Sequence, residues 1–169
     1  HIACDYERWT RVHGGPDNGW SGPLASLDMS HVRTIRCTGA YSIGIRGARN
    51  HVFDRVAEAM DQVVAALSAE FPEENVCEEL VLANCALSDE TLLSLIRVTS
   101  PTLKTLILNG NRLTDDGAQA IAQIDSWSQL EKLSVGNGGN VGVEGMRALY
   151  ASPHVSHAMQ EKWFEHWHM

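Results

Sequence analysis

The sequence lacks long apolar runs and any excess of basic residues. No stretch reaches the ~18 apolar residues that a membrane-spanning helix needs, and the first residues lack the basic-then-apolar order of a secretory signal. We therefore expect a soluble protein without direct membrane insertion. The chain has 13 Lys and Arg against 21 Asp and Glu, which gives a net charge of −8. Because such a charge repels phosphate backbones, we expect no nucleic acid among its partners.

Motifs of catalysis and of cofactor binding are also absent from the sequence. It contains no Gly-rich phosphate loop, no nucleophile elbow and no HExxH pattern. The glycine-rich tract 136–145 follows a repeated strand, so turn geometry accounts for its glycines. Asp115 and Asp116 fit the negative charge that the N-terminus of their own helix favours. We predict a non-enzymatic protein with no catalytic residue and no cofactor.

The most informative feature present is an internal repeat. Cys77, Leu103 and Leu130 begin successive tracts, 26 and 27 residues apart, that carry apolar residues at positions one, four and six. Each tract is followed by a helical pattern, which is the period and layout of leucine-rich repeats. A fourth tract with the same spacing begins at Val32. The sequence thus predicts an α/β solenoid of about four units, with a parallel concave sheet and outer helices.

The repeat divides the chain into three predicted segments. Residues 1–31 contain many Gly and Pro and are predicted to form an N-terminal cap. Residues 32–153 hold the repeats, and the first repeat carries a long helix over 48–71. Residues 154–169 are predicted to form a C-terminal cap or tail. The aromatic residues predicted to cover the apolar end of the first unit are Trp9 and Trp20.

The cysteines fit the repeat rather than a redox or disulfide framework. No two of the four form a CxxC pair, and at least three lie where the repeat requires a buried apolar group. Free cysteine generally behaves as a small hydrophobic residue. We predict structural thiols in a reducing compartment at Cys4, Cys37, Cys77 and Cys85.

The ends of the repeated strands carry a narrower pattern. Cys85 in one unit and Asn111 in the next are each followed two residues later by Leu and then by a helix. This alternation resembles ribonuclease-inhibitor-type leucine-rich repeats, and the resemblance implies the fold without naming a partner. At such a position an amide side chain can hydrogen bond the unpaired backbone of the turn, which we predict for Asn111.

Four short motifs occur in order in the N-terminal third. They are Glu7-Arg8-Trp9, Gly22-Pro23-Leu24, Val32-x-x-Ile35-x-x-Thr38 and Ser42-Ile43-Gly44. Their order resembles the family of mitochondrial ATP synthase coupling factor B (subunit s) and the distal membrane-arm assembly factors. The resemblance implies an accessory or assembly subunit of ATP synthase or respiratory complex I, located on the matrix side of the inner membrane. It also implies a structural cap role for the matched residues Arg8, Trp9, Gly22, Pro23, Leu24, Ser42, Ile43 and Gly44.

The predicted partner-binding surface follows from the repeat. Side chains alternate across the strand and then enter the turn, so we expect positions two, three, five, seven and eight to face the concave side. Position five reads Arg36, Val81, Ile107 and Ser134, with two apolar residues between polar ones, as in the core and rim of an interface. Strand propensity alone is the alternative explanation of Val81 and Ile107. The predicted protein-binding residues are Arg33, Arg36, Glu78, Glu79, Val81, Ala83, Lys104, Thr105, Ile107, Asn109, Glu131, Lys132 and Ser134.

Two other functions are compatible with the sequence. Histidines crowd the C-terminal segment, and if all four converged they would form a metal site, although an amphipathic cap also explains the segment. These histidines are His154, His157, His166 and His168. The chain begins at His1 rather than Met, so we expect an upstream segment, for which a transit peptide is one candidate. The same start is compatible with a recognition fragment of a larger receptor or effector, and an intracellular soluble protein is the alternative to a mitochondrial one.

Overall fold

The computed structural model describes residues 2–5, 33–38, 76–96, 101–127, 129–136 and 140–159. Strands and helices alternate along most of this part of the chain. The strands are β1 (Ile2–Asp5), β2 (Thr34–Thr38), β3 (Glu79–Ala83), β4 (Thr105–Ile107) and β5 (Lys132–Ser134). The helices are α1 (Asp89–Ile96), α2 (Asp115–Ala122) and α3 (Val143–Ala151). Two 3₁₀ turns lie at Asp125–Trp127 and Ser156–Ala158.

The strands form one parallel sheet in the order β1-β2-β3-β4-β5. Neighbours in space are thus neighbours in sequence, and each step from β3 to β5 is connected through one helix. Position four of one unit lies beside position four of the next, in a row made of Ile35, Leu80, Leu106 and Leu133. The predicted parallel, side-by-side alignment of the four tracts is therefore observed.

β1 is a strand that the sequence does not predict. It pairs with β2 in parallel, with Ile2 beside Ile35 and Asp5 beside Thr38, and so adds a fifth strand to the sheet. β1 lies inside the segment that is predicted to form the N-terminal cap. The sequence does not predict a strand there because four residues with little apolar alternation give a weak strand signal. The long helix over 48–71 and the other predicted cap residues lie outside the described residues, and these cap residues are Arg8, Trp9, Trp20, Gly22, Pro23, Leu24, Ser42, Ile43 and Gly44.

The core lies on the helical side of the sheet and repeats with the units. Positions one, four and six of the tracts beginning at Cys77, Leu103 and Leu130 are all 2% exposed or less. Helix α1 adds Leu92 and Leu95 to this core. Each fully buried leucine stabilises the fold by roughly 1.5–3 kcal/mol relative to an exposed one. Repeated burial of this kind explains why short three-residue strands hold their place in the sheet.

Asn111 links two units through their turns, as predicted. It is 3% exposed, and its Oδ1 accepts hydrogen bonds from the backbone N–H groups of Cys85 at 3.0 Å and Leu87 at 3.2 Å. Its Nδ2 donates to the carbonyls of Leu82 and Leu108, both at 2.7 Å. One side chain thus hydrogen bonds four backbone groups of two neighbouring units.

Aspartates join each helix to the next. Asp89 of α1 accepts hydrogen bonds from the backbone N–H and the hydroxyl of Thr114, at 3.0 and 2.5 Å, just before α2. Asp115 of α2 accepts from the N–H groups of Gly142 at 2.6 Å and Gly145 at 3.0 Å, at the start of α3. Asp115 lies in the first turn of α2, as the sequence predicts for a charge that the N-terminus of that helix favours, and its carboxylate also reaches the N-terminus of the following helix.

The segment after α3 covers the last unit. Ser152 donates through Oγ to the carbonyl of Ala122 at 2.5 Å, and Val155 and Ala158 are fully buried. Met159 forms an isolated parallel bridge with Leu133, at the outer edge of β5. Residues 154–159 therefore pack on the repeats, and the remainder of the predicted C-terminal segment lies outside the described residues. None of the helices in the described ranges is long and apolar enough to span a membrane.

Candidate protein-binding surface

The side chains that alternate with the buried leucines form the open face of the sheet. In β3, Leu80 and Leu82 are buried, whereas Glu79, Val81 and Ala83 are half-buried on the other side. The same alternation holds in β4. We call this surface, made by positions two, three, five and seven of each tract, the open face. It includes every residue predicted from the sequence to bind a partner.

The centre of the open face is the row at position five. Arg36 lies beside Val81, Val81 beside Ile107, and Ile107 beside Ser134. Val81 and Ile107 are half-buried, since they contact each other's strands while one side of each remains open to solvent. The structure thus places two aliphatic side chains next to each other at the middle of the sheet.

Ser134 offers less exposed surface to a partner than its position in the row suggests. It is 8% exposed, and its hydroxyl donates to Oδ1 of Asn109 at 2.6 Å. Alternation places it on the open face, but a small side chain held against its neighbour leaves little surface. Ser134 therefore acts on the open face mainly by orienting Asn109.

Ion pairs cross the lower part of the open face from one strand to the next. Glu78 lies between Arg33 at 2.6 Å and Lys104 at 3.7 Å, and Arg36 pairs with Glu79 at 2.6 Å. These groups are partly exposed, so each pair contributes at most about 1 kcal/mol to stability. The pairs largely neutralise one another, in contrast to the net charge of −8 for the whole chain. The charge at position two alternates in sign from unit to unit, from Arg33 to Glu131, and this alternation in the sequence indicates the ion pairs between strands.

The upper border of the open face is neutral and polar. The backbone N–H of Asn84 donates to the carbonyl of Asn109 at 2.8 Å. Gly110 has φ +72°, and a Cβ on it would lie 2.1 Å from Oδ1 of Asn84, so any other residue there would be strained and would require the Asn84 side chain to move. Asn84 itself has φ 56°. Sequence reasoning did not place Gly110 at this surface, because its role depends on a side chain from the neighbouring unit.

The described cysteines lie beneath this face as buried free thiols. Cys77 donates to the carbonyl of Glu79 at 3.5 Å and Cys85 to that of Ala83 at 3.3 Å. Burial raises the pKa of the Cys77 thiol to about 11. A thiol with such a pKa is protonated at neutral pH and is a poor nucleophile. These two cysteines therefore have the structural role expected of them, while the side chains of Cys4 and Cys37 lie outside what the structure describes.

The predicted histidine cluster is described only in part. His154 is half-buried and its backbone N–H donates to Oγ of Ser152 at 3.1 Å, whereas His157 is exposed. Within the described ranges, no three His, Cys, Asp or Glu residues are grouped so that they could hold a metal ion. His166 and His168 lie beyond these ranges, so a four-histidine site stays a prediction.

Comparison with known protein families identifies one repeat directly. The family described as Leucine Rich repeat matches residues 99–122, which include β4 and all of α2. A search of curated proteins finds no match. Together with the parallel α/β architecture, the family match supports a leucine-rich-repeat protein. Such repeats are typically non-enzymatic modules for protein–protein interaction.

Proposed function

We propose that this chain is one solenoid of stacked leucine-rich repeats and that it binds another protein through the open face of its sheet. The observation that carries the proposal is the pair Val81 and Ile107. The register places them side by side at the centre of the row, with paired charges on one flank and neutral amides on the other. An apolar centre within a polar rim is the usual arrangement of a binding interface.

The charged flank and the aliphatic pair contribute differently to binding. Because the ions of the lower flank already pair with one another, replacing one of those pairs by a contact to a partner gains little free energy. Val81 and Ile107 lose their remaining contact with water when a partner covers them, and this burial stabilises the complex in proportion to the apolar area that is covered. The aliphatic pair therefore supplies most of the affinity, and the charges orient the partner.

A matched set of variants tests this assignment. The double variant V81D/I107D places two charges at the centre of the open face. V143D makes the same Val-to-Asp change at a residue that is 49% exposed at the start of α3, away from this face. We expect V81D/I107D to lose its co-purifying proteins and V143D to retain them, with the circular dichroism spectra of both unchanged. Equal retention by well-folded V81D/I107D would refute the proposal.

We further propose that the partner is a multisubunit mitochondrial membrane complex, for which this protein is an accessory or assembly component on the matrix side. The ordered motifs between Glu7 and Gly44 support this, through their resemblance to the coupling factor B family. The test is purification of the tagged protein from fractionated cells, with subunits of ATP synthase and of complex I quantified by mass spectrometry. We expect one set of subunits to be enriched with the wild type and V143D and lost with V81D/I107D. A protein that is absent from purified mitochondria would overturn this assignment.

A further inference from the structure

An unusual amide lies at the upper border of the open face. Asn109 is half-buried, and the hydroxyl of Ser134 donates a hydrogen bond to its Oδ1 at 2.6 Å. The next residue is Gly110, whose backbone N–H donates no hydrogen bond to any described residue. A hydrogen-bonded side-chain carbonyl and the backbone nitrogen of a glycine are thus adjacent in the chain.

We propose that Asn109 is a site of spontaneous deamidation, assisted by Ser134. The backbone nitrogen of Gly110 attacks Cγ of Asn109 and gives up its proton, and the side-chain amide leaves as ammonia. The product is a five-membered succinimide. Water then opens the ring at either carbonyl, giving aspartate or isoaspartate. Water is the only co-reactant, and no electron is gained or lost.

Ser134 acts as a positioning residue in this reaction. Its O–H points at the oxygen that becomes negatively charged when nitrogen adds to Cγ, so the hydrogen bond strengthens as the charge develops. Gly110 favours the same step because it has no side chain to hinder its nitrogen. The hydroxyl and the glycine come from different units, and only the alignment of β4 with β5 brings them to one amide.

Asn111 is the internal comparison, two residues away. It is 3% exposed, both ends of its amide are held by backbone groups, and Arg112 rather than glycine follows it. The backbone N–H of Arg112 is already engaged by the carbonyl of Leu87 at 2.8 Å. Although Oδ1 of Asn111 also accepts hydrogen bonds, its Nδ2 is held by two carbonyls and the nitrogen that would attack is engaged, so we expect the reaction at Asn109 and not at Asn111.

Deamidation changes the open face in two ways. It introduces a carboxylate into the neutral border next to Ser134, and isoaspartate lengthens the backbone between β4 and Asn111. A weakening of partner binding by this change rests on the proposed function of the open face. The chemical proposal does not, because it concerns the isolated protein.

Peptide mapping of the folded full-length chain tests the proposal. Trypsin cleaves after Lys104 and Arg112 and releases 105–112, which carries both Asn109 and Asn111, while the Asn137-Gly138 pair falls in another peptide. After incubation at mildly alkaline pH, we expect isoaspartate and aspartate at Asn109 and an intact Asn111. Equal conversion of the two, or none at Asn109, would overturn the site.

Variants of Ser134 test the assistance. S134A removes one hydrogen bond and should slow conversion of Asn109 about fivefold, whereas S134T keeps the hydroxyl and should restore it. In urea-unfolded chains all three proteins should convert at the same rate. If the substitutions acted without the fold, the difference in rate would persist in urea. Conversion in folded S134A that equals or exceeds that of the wild type overturns the role of Ser134, and thermal unfolding checks that the variants fold.

Discussion

The two faces of the same strands follow different rules. On the buried face, position four is aliphatic in every described unit, from Ile35 to Leu133, and leucine in the last three. On the open face, the neighbouring position five changes from Arg36 to Val81, Ile107 and Ser134. The comparison shows that stacking of the units constrains the residue type at position four, whereas the residue type at position five is free to differ. A surface that varies over a constant core is well suited to specific recognition.

Leu106 and Ile107 give the largest expected contrast between the faces. They are adjacent in β4 but point to opposite sides, and Leu106 is fully buried. We expect L106A to lower the free energy of unfolding by about 4 kcal/mol through a buried cavity, and I107A to lower it by about 1 kcal/mol. Urea denaturation measures both. Similar losses for the two variants would break the distinction between the faces.

Asn111 and Asn84 extend the comparison to the turns. N111A leaves the N–H groups of Cys85 and Leu87 without their acceptor in the interior. Because each buried unsatisfied group costs about 1–3 kcal/mol, we expect a loss of about 3 kcal/mol. N84A, at a half-buried turn position, is the control and should cost less. If N84A cost as much as N111A in the same urea titration, the link made by Asn111 would not be special.

Gly117 tests the connection between helices. A Cβ at this position would lie 2.1 Å from Oδ1 of Asp89, so we expect G117A to destabilise the protein by about 2 kcal/mol. In a D89A background the obstacle is gone, and alanine should instead stabilise α2 by about 1 kcal/mol. A double-mutant cycle by thermal unfolding measures this reversal of sign. The same sign in both backgrounds would exclude the steric explanation.

Cys77 gives the smallest effect, which is confined to alkaline pH. Its pKa is about 11 in the folded protein against an ordinary 9.0, so the unfolded chain loses the proton first as the pH rises. The stability from the protonated buried thiol is fully present below pH 9 and declines between pH 9 and 11. We expect the difference in unfolding free energy between wild type and C77A to be constant below pH 9 and to shrink above it. A difference independent of pH would contradict the assignment.

Much of the open face could be predicted from the sequence, because the repeat itself encodes it. Val81 and Ile107 were identified from spacing alone, and the structure places them in the expected row. The limited exposure of Ser134 could not be predicted, since it depends on a hydrogen bond to Asn109 in another unit. The link from Asp115 to Gly142 could not be predicted either, because spacing within one unit does not reveal which N–H groups of the next unit a carboxylate reaches.

By itself, the sequence determined the units, their buried positions and the four-tract register. These follow from the alternation and period of apolar residues, which are local properties of the chain. Only the tertiary structure decided that β1 joins the sheet, that aspartates connect successive helices and that Ser134 holds Asn109. Each of those contacts joins residues about one unit or more apart, so it exists only once hydrophobic burial has stacked the units and brought their polar groups within hydrogen-bonding distance.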